Sequence, residues 1–596
     1  MKSDLLKNRT ETLLSTAFIL FWLIFLKNSD AYFSPYLLVG AAGIFCAFFR
    51  DPELQDSLSP GNRFAVVLSG LFSLAVAAAN YKLFTKPAFS EVSGSVSLIV
   101  YSTVALILCL AGGFLAAWNI LQLVRERKNR SWKVFTSPQI SEPRSPAAVF
   151  FVTTLILIAI DCSILFLAKY PGLLTEDSIS QIEQLMSGVY SNHHPYYHTM
   201  MIRACIRFGL FVFPGNFNAA VAVYSVFQII LISSAFGYVL STLHRMGISG
   251  RLLLLCLVFY AILPCHVLYS FTMWKDIPFS ASVTVFSVTL YRMLKEIGRR
   301  SPGLWTLLIL SGLGSCLLRS NGWLTFFFAF PVFVLFFRRE EKKLCLVFFC
   351  ILLFSFILKN PVLNAIGVSK TDTIESLSIP AQQIARVIKE DKDSLTPDQR
   401  ELLDRVVDVD HVPLWYSEFI SNPVKDLVRA TGDQEYLKTH IGEYLKIYLE
   451  IGLSHPKQYF EAWVEETKGY WNSGYDYWII SDMVSDNLFG ITRTTVSPAV
   501  NSLTNQYIYL FRTSEFLRTF QSIGLSVWLS IFFAYVSYVR RNRAAMFLFV
   551  PLIVYLMSLY VGTPVFAEFR YTYAIFCLLP FFAFSSYYND KEVSHG

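Results

Sequence analysis

The chain has 596 residues, 54% hydrophobic, 16% aromatic and only 16% charged, and its mean hydropathy of +0.47 is well beyond that of an ordinary soluble globular protein. A formal net charge of +7 could suggest a nucleic-acid partner, but the Lys and Arg fall in short clusters between apolar runs, as in positive-inside loops, which excludes that class. Ten Cys are scattered singly, mostly within apolar runs and without a CxxC pair, so neither a disulfide framework nor a zinc site is expected.

A membrane-spanning helix needs about 20 apolar residues. On that rule about fourteen spans are expected, near 11–27, 33–49, 64–83, 96–123, 147–169, 217–242, 252–271, 277–294, 303–318, 322–337, 344–359, 518–539, 544–561 and 570–587. The expected fold is an all-α polytopic membrane protein. Residues 1–10 are basic and polar and no small-residue cleavage site follows, so the first span reads as an uncleaved signal anchor.

Charge sorts when the loops alternate between the two sides. Starting from Lys2, Lys7 and Arg9 inside, the inner loops receive Arg125, Arg127, Lys128, Arg130, Lys133 and Arg144, then Arg245 and Arg251, Arg299 and Arg300, the 338–343 cluster, and Arg540, Arg541 and Arg543. The polar stretches left over share the other face: 170–216, Trp274-Lys275-Asp276, Arg319-Ser320-Asn321-Gly322, 360–517 and 565–571.

The organisation that follows is an N-terminal four-helix membrane module (1–124), a cytoplasmic basic linker (125–146), a transmembrane core (147–359), an extracytoplasmic mainly helical domain (360–517) and C-terminal spans (518–596). Within the long polar segment, Ile379–Ile388, Pro397–Val406 and His440–Ile451 are patterned as helices, broken by Asn422-Pro423 and Ser454-His455-Pro456. The aromatics from Tyr459 to Trp478 suit either sugar stacking or an interfacial belt.

Chemistry concentrates in Tyr170–Met201, where Glu176 and Asp177 follow an apolar run and the Pro171-Gly172 turn, and Gln181, His193, His194 and His198 come after. Carboxylates at a bilayer rim can be tuned for proton abstraction, and two adjacent ones cannot point the same way. Asp177 is the expected base, with Glu176 its partner or the alternative; the competing reading is that both merely cap a helix starting near Ser178. His194 and His198 are four apart if a helix starts at Pro195, yet Pro195 splits the cluster and no HExxH is present, so a polar site facing a sugar phosphate is favoured over a metal centre. Lys275 with Asp276, Arg319 with Asn321, and Arg570 sit at span ends, where cations can hold an anionic lipid phosphate or simply snorkel.

With its acidic pair after the first core helix and the His193-His194-Pro195 element, the chain from residue 147 onward resembles the GT-C superfamily of membrane glycosyltransferases, which includes the protein O-mannosyltransferases and the aminoarabinose transferases. It departs from their pattern at Tyr196, where a second proline is familiar. The resemblance implies a GT-C-like helical bundle and a polyprenyl-phosphate-linked sugar donor, undecaprenyl phosphate in a bacterium. It also implies an extracytoplasmic cell-envelope acceptor (glycan, lipid or protein), and it leaves a divalent cation open as cofactor. The absence of Walker and GxSxG motifs from that face agrees with a lipid-linked donor, since nucleotide sugars are cytoplasmic. The rival classes are an O-antigen-type ligase or polymerase, and a non-enzymatic flippase.

Overall fold

A computed structural model describes residues 2–50, 60–85, 95–127, 145–296, 300–477 and 482–588. Among them there is no strand; extended residues meet only in isolated bridges. Nine described helices are long and apolar enough to cross a membrane, and Ser34–Phe49, Gly250–Ile262, Pro302–Leu317 and Ile523–Val539 are shorter apolar helices. The chain is an all-α multi-pass membrane protein. Hydrocarbon offers backbone groups no partner, so each crossing segment satisfies its own N–H and C=O as a helix.

Most segments expected to span are helices within a few residues of the expected bounds: 147–169 is Pro146–Ala168, 277–294 is Asp276–Lys295, and 570–587 is Phe569–Tyr587. The single span expected over 252–271 is instead two helices, Gly250–Ile262 and Pro264–Tyr269. Pro264 lacks an N–H and its ring crowds the carbonyl four residues back, so it begins a new helix at its first position. The expected span 518–539 is shortened to Ile523–Val539, because Ser522 Oγ accepts from Leu525 N–H at 3.2 Å and caps a fresh start. Most of the expected linker, including Lys128, Arg130, Lys133 and Arg144, lies outside the described residues, as do Arg299 and Trp478.

Residues 372–459 enclose a core of their own around Leu403, Val406, Leu427 and Tyr444. All three patterned segments are helices here: Ser378–Asp391, Pro397–Val406 and Ile441–Ser454. Thr396 and Gln399 reciprocally cap the second.

In the aromatic stretch after residue 459, Phe460 is exposed but several rings are packing material. Tyr470, Trp471 and Tyr475 are buried, Trp463 stacks on Trp471 at 5.7 Å, and Trp528 Nε1–H donates to the Trp471 carbonyl at 2.7 Å. Rings spent in this way seal the seam between the 372–459 unit and the span ends, and Trp471 presents no free face for a sugar.

Candidate active site

Where the Pro146–Ala168 helix ends, the chain is stitched down on both sides. Leu173 N–H donates to Phe271 O and Met273 N–H to Leu173 O (both 3.0 Å), and Leu174 exchanges bonds with Met483 and Ser485 (3.1 and 2.9 Å). Lys169, fully buried, pairs with Asp482 at 2.7 Å. Gly172 adopts φ +134°, and a Cβ there would stand 2.3 Å from Ser225 Oγ and 3.0 Å from the Phe271 carbonyl. Gly172→Ala therefore combines a disfavoured backbone with a clash and is expected to cost about 1–3 kcal/mol, read as a lowered Tm in detergent. Gly215→Ala, at φ +75° with nothing within 4 Å, is the control and should lose less.

The helix carrying the acids is Glu176–Ser187, two residues earlier than expected, so Glu176 and Asp177 are its first two residues and neither is the cap. Thr175 precedes it: its N–H donates to Ser178 Oγ (3.1 Å) and its hydroxyl accepts from Trp274 Nε1 (2.8 Å). This ties the acids to the segment carrying Lys275. The two carboxylates diverge. Glu176 is exposed and pairs with none of the cations, whereas Asp177 Oδ2 accepts from Arg570 Nη1 at 2.7 Å.

Arg570 lies 4.8 Å over the Trp274 ring and 3.5 Å from Glu568 as well as against Asp177, so one guanidinium serves two carboxylates. Lys275 Nζ donates to His194 Nδ1 at 3.1 Å. Burial would raise Asp177, but Arg570, then Lys275 and His194, outweigh it and hold the carboxyl well below the usual range. Burial, partly countered by Asp177 and reinforced by Arg570 and Arg319, lowers Lys275 to about 8. Burial and then Lys275 lower His194 to about 3, so the imidazole is neutral and can accept from the ammonium. Burial raises Glu568 to about 6, against the pull of Arg570.

Other expected site residues are placed differently. Gln181 and His198 are buried in a chain of neutral hydrogen bonds: Gln181 Nε2 reaches Thr199 Oγ1 (2.8 Å) and His198 Nδ1 (3.0 Å), His198 Nε2 meets Tyr224 Oη (2.7 Å), and Tyr224 donates to Gln228 Oε1 (2.9 Å). Gln228 Nε2 in turn donates to the carbonyls of Tyr269 and Thr272 (2.9 and 2.7 Å). The set braces the loop that presents Trp274 and Lys275. Arg319 precedes the Ser320–Phe337 helix, is buried, pairs with Asp276 and lies 4.5 Å from the Tyr571 ring centroid. Asn321 is the second residue of that helix and reaches Ser558 Oγ at 3.4 Å. His193 is exposed beside His194, the ring centroids 4.8 Å apart. Among the described residues no group of three or more His, Cys, Asp and Glu is arranged to hold a metal.

Sequence reasoning missed Glu568 and Trp274 as members of the cluster. Glu568 was visible as an acid two residues before Arg570, but its burial beside the arginine depends on how Phe569–Tyr587 packs.

The model of DUF6020, a family of unknown function, matches residues 186–595. The chain belongs to that family. No curated protein and no solved structure matches it. The DUF6020 match takes in His194, Lys275, Arg319, Glu568 and Arg570 and begins after Asp177, so the cation-bearing part of the cluster lies inside the family's stretch and the Asp177 carboxylate before it.

Proposed function

We propose that this DUF6020 protein is a GT-C-like membrane glycosyltransferase that moves a sugar, with inversion, from a polyprenyl-phosphate carrier to an extracytoplasmic cell-envelope acceptor. One observation carries the reading: an ionised, one-third exposed Asp177 is held by Arg570, with Lys275 and His194 beside it, at the ends of membrane helices. The fourteen-span topology of this reading assigns a crossing to each of the nine long apolar helices, to the four shorter ones and to Phe569–Tyr587. Alternating those spans assigns the basic clusters of the sequence to the side opposite the Asp177–Arg570 cluster, which supports an extracytoplasmic site.

In this mechanism the donor phosphate settles against Arg570 and Lys275, whose charge stabilises the polyprenyl phosphate as it leaves, so no general acid is needed. The acceptor oxygen bonds to the anomeric carbon, the carbon–oxygen bond to phosphate breaks, and Asp177 takes the acceptor's hydroxyl proton. An ion-paired carboxylate is a weak base. A phosphate that competes for Arg570 loosens the pair and raises the basicity of Asp177 only when donor is bound.

The direct test is purified protein in nanodiscs supplied with undecaprenyl-phosphate-linked sugars and envelope glycans, with released undecaprenyl phosphate read by mass spectrometry. No release with any donor, together with an unchanged envelope glycan profile in cells lacking the gene, would sink the reading. For the topology, cysteines introduced at Ser191 and Asp408 in a Cys-free background should react with an impermeant thiol reagent from outside and one at Lys128 should not.

Lys275 gives a pH test. Its ammonium is present below about 8 and lost above, so use of an anionic donor should fall as pH rises through about 8. Lys275→Arg should move that limb upward, and Lys275→Ala should weaken donor use by roughly 2–5 kcal/mol at neutral pH. A limb unmoved in Lys275→Arg would assign it to another group.

A further inference from the structure

The N-terminal membrane helices meet one another and the rest of the chain in different ways. Inside the module, backbones touch: a Cβ on Gly43 would stand 2.7 Å from Ala116 Cα, and one on Gly112 2.5 Å from the Phe18 carbonyl oxygen. Small residues give membrane helices this close approach. Against the core, the module is pinned at its two ends. At one end Asn472 Nδ2 donates to Tyr36 Oη (2.7 Å), Tyr32 N–H donates to Gly474 O (3.2 Å) and Lys82 pairs with Glu465 (2.9 Å). At the other, the Phe64 and Tyr535 rings meet at 5.7 Å.

Between the pins Phe72 meets Trp528 edge to face at 5.1 Å, and around that contact the helices leave a cavity of about 400 Å³, within the roughly 300–1,000 Å³ of ligand pockets. Leu38, Ala42 and Phe72 line it from the module, Leu529 and Leu579 from the core, and its hydroxyls are those of Thr519 and Ser526. A space with such walls does not hold water stably, and the helices around it are apolar enough that hydrocarbon is its surrounding solvent. Leu579 follows Arg570 by nine residues, two and a half turns at about 3.6 residues per turn, so it faces the side of its helix away from the Asp177–Arg570 pair. The occupant is therefore separate from whatever the active site binds. Next to Thr519 in the chain, Arg518 lies with its guanidinium 4.3 Å over the Tyr32 ring and paired with Asp476, an ion pair whose arginine fork a lipid phosphate can share.

We propose that this cavity holds a hydrocarbon chain of a resident membrane phospholipid, its headgroup phosphate near Arg518, and that the lipid fills the seam between the N-terminal module and the core. Native mass spectrometry of the full chain, extracted in mild detergent, tests this. One phospholipid adduct is expected on the wild type, with re-uptake of palmitoyl-oleoyl-phosphatidylglycerol after delipidation. Ala42→Trp and Leu38→Trp fill the space and should each lower the adduct at least tenfold, while Ala41→Trp, on an exposed neighbour outside the wall, should keep it. A wild type without adduct overturns the proposal, and that arm stands even where a variant fails to fold. Wild-type adduct levels in both folded cavity variants, or equal loss in Ala41→Trp, overturn it too. An adduct with the mass of a polyprenyl phosphate would refute the phospholipid assignment.

Discussion

Asp177→Asn is expected to lower turnover by a factor of about 10² to 10⁴ while donor binding survives, because the amide keeps the size and one hydrogen-bond acceptor but not the basic oxygen. Thr175 precedes the Glu176–Ser187 helix, so the substitution spares the cap, and Arg570 retains Glu568 as counter-ion. Asp177→Asn should therefore still fold, with a Tm lowered at neutral pH by the loss of the ion pair with Arg570. Glu176→Gln should change little, since Glu176 is exposed and unpaired with the cations. Initial rates of undecaprenyl phosphate release, measured beside a thermal melt, separate the two effects. Full activity in a well-folded Asp177→Asn enzyme would remove Asp177 from the role of base. If Glu176→Gln were then the inactive variant, the base would move by one residue.

Arg570→Met should be the most damaging single change to both fold and function. It deletes the one guanidinium between Asp177 and Glu568, and removing one partner of a buried pair typically costs about 3–5 kcal/mol, at the low end here because Asp177 is one-third exposed. The pH dependence gives the sign. In the parent, Asp177 is held below its unfolded value, so its contribution is full above about 3.9 and is lost as pH falls. Without Arg570 both carboxyls are pushed upward by burial and by each other, the folded state binds the extra protons, and stability falls as pH rises. The penalty of Arg570→Met should therefore shrink between pH 7 and pH 5, as read by melts at both. A penalty independent of pH would mean that packing on Trp274, not charge, is what Arg570 contributes. Arg570→Lys keeps the charge but loses the fork, and should retain more stability than donor affinity.

The helices could be read from the sequence because hydrocarbon imposes them locally: a run such as Pro146–Ala168 must satisfy its backbone internally whatever packs beside it. The grouping of polar residues at span ends was legible for the same reason, since charge is expelled from the bilayer wherever the chain leaves it. Pro264 was visible too, but a hydropathy window averages over a proline that ends one helix and begins the next. Partners were not legible. Asp177 and Arg570 are 393 residues apart, and no local signal chooses Arg570 over Arg319, which went instead to its neighbour in space, Asp276. His198 and Gln181 looked like ligand-binding groups and became a brace, because Tyr224 and Gln228 project from the Phe217–Arg245 helix into reach. Most of the apolar helices, and the polar residues at their ends, follow from local composition; which charges neutralise one another was settled by how the helices pack, because an ion pair depends on distances of a few ångströms between segments that share no stretch of chain.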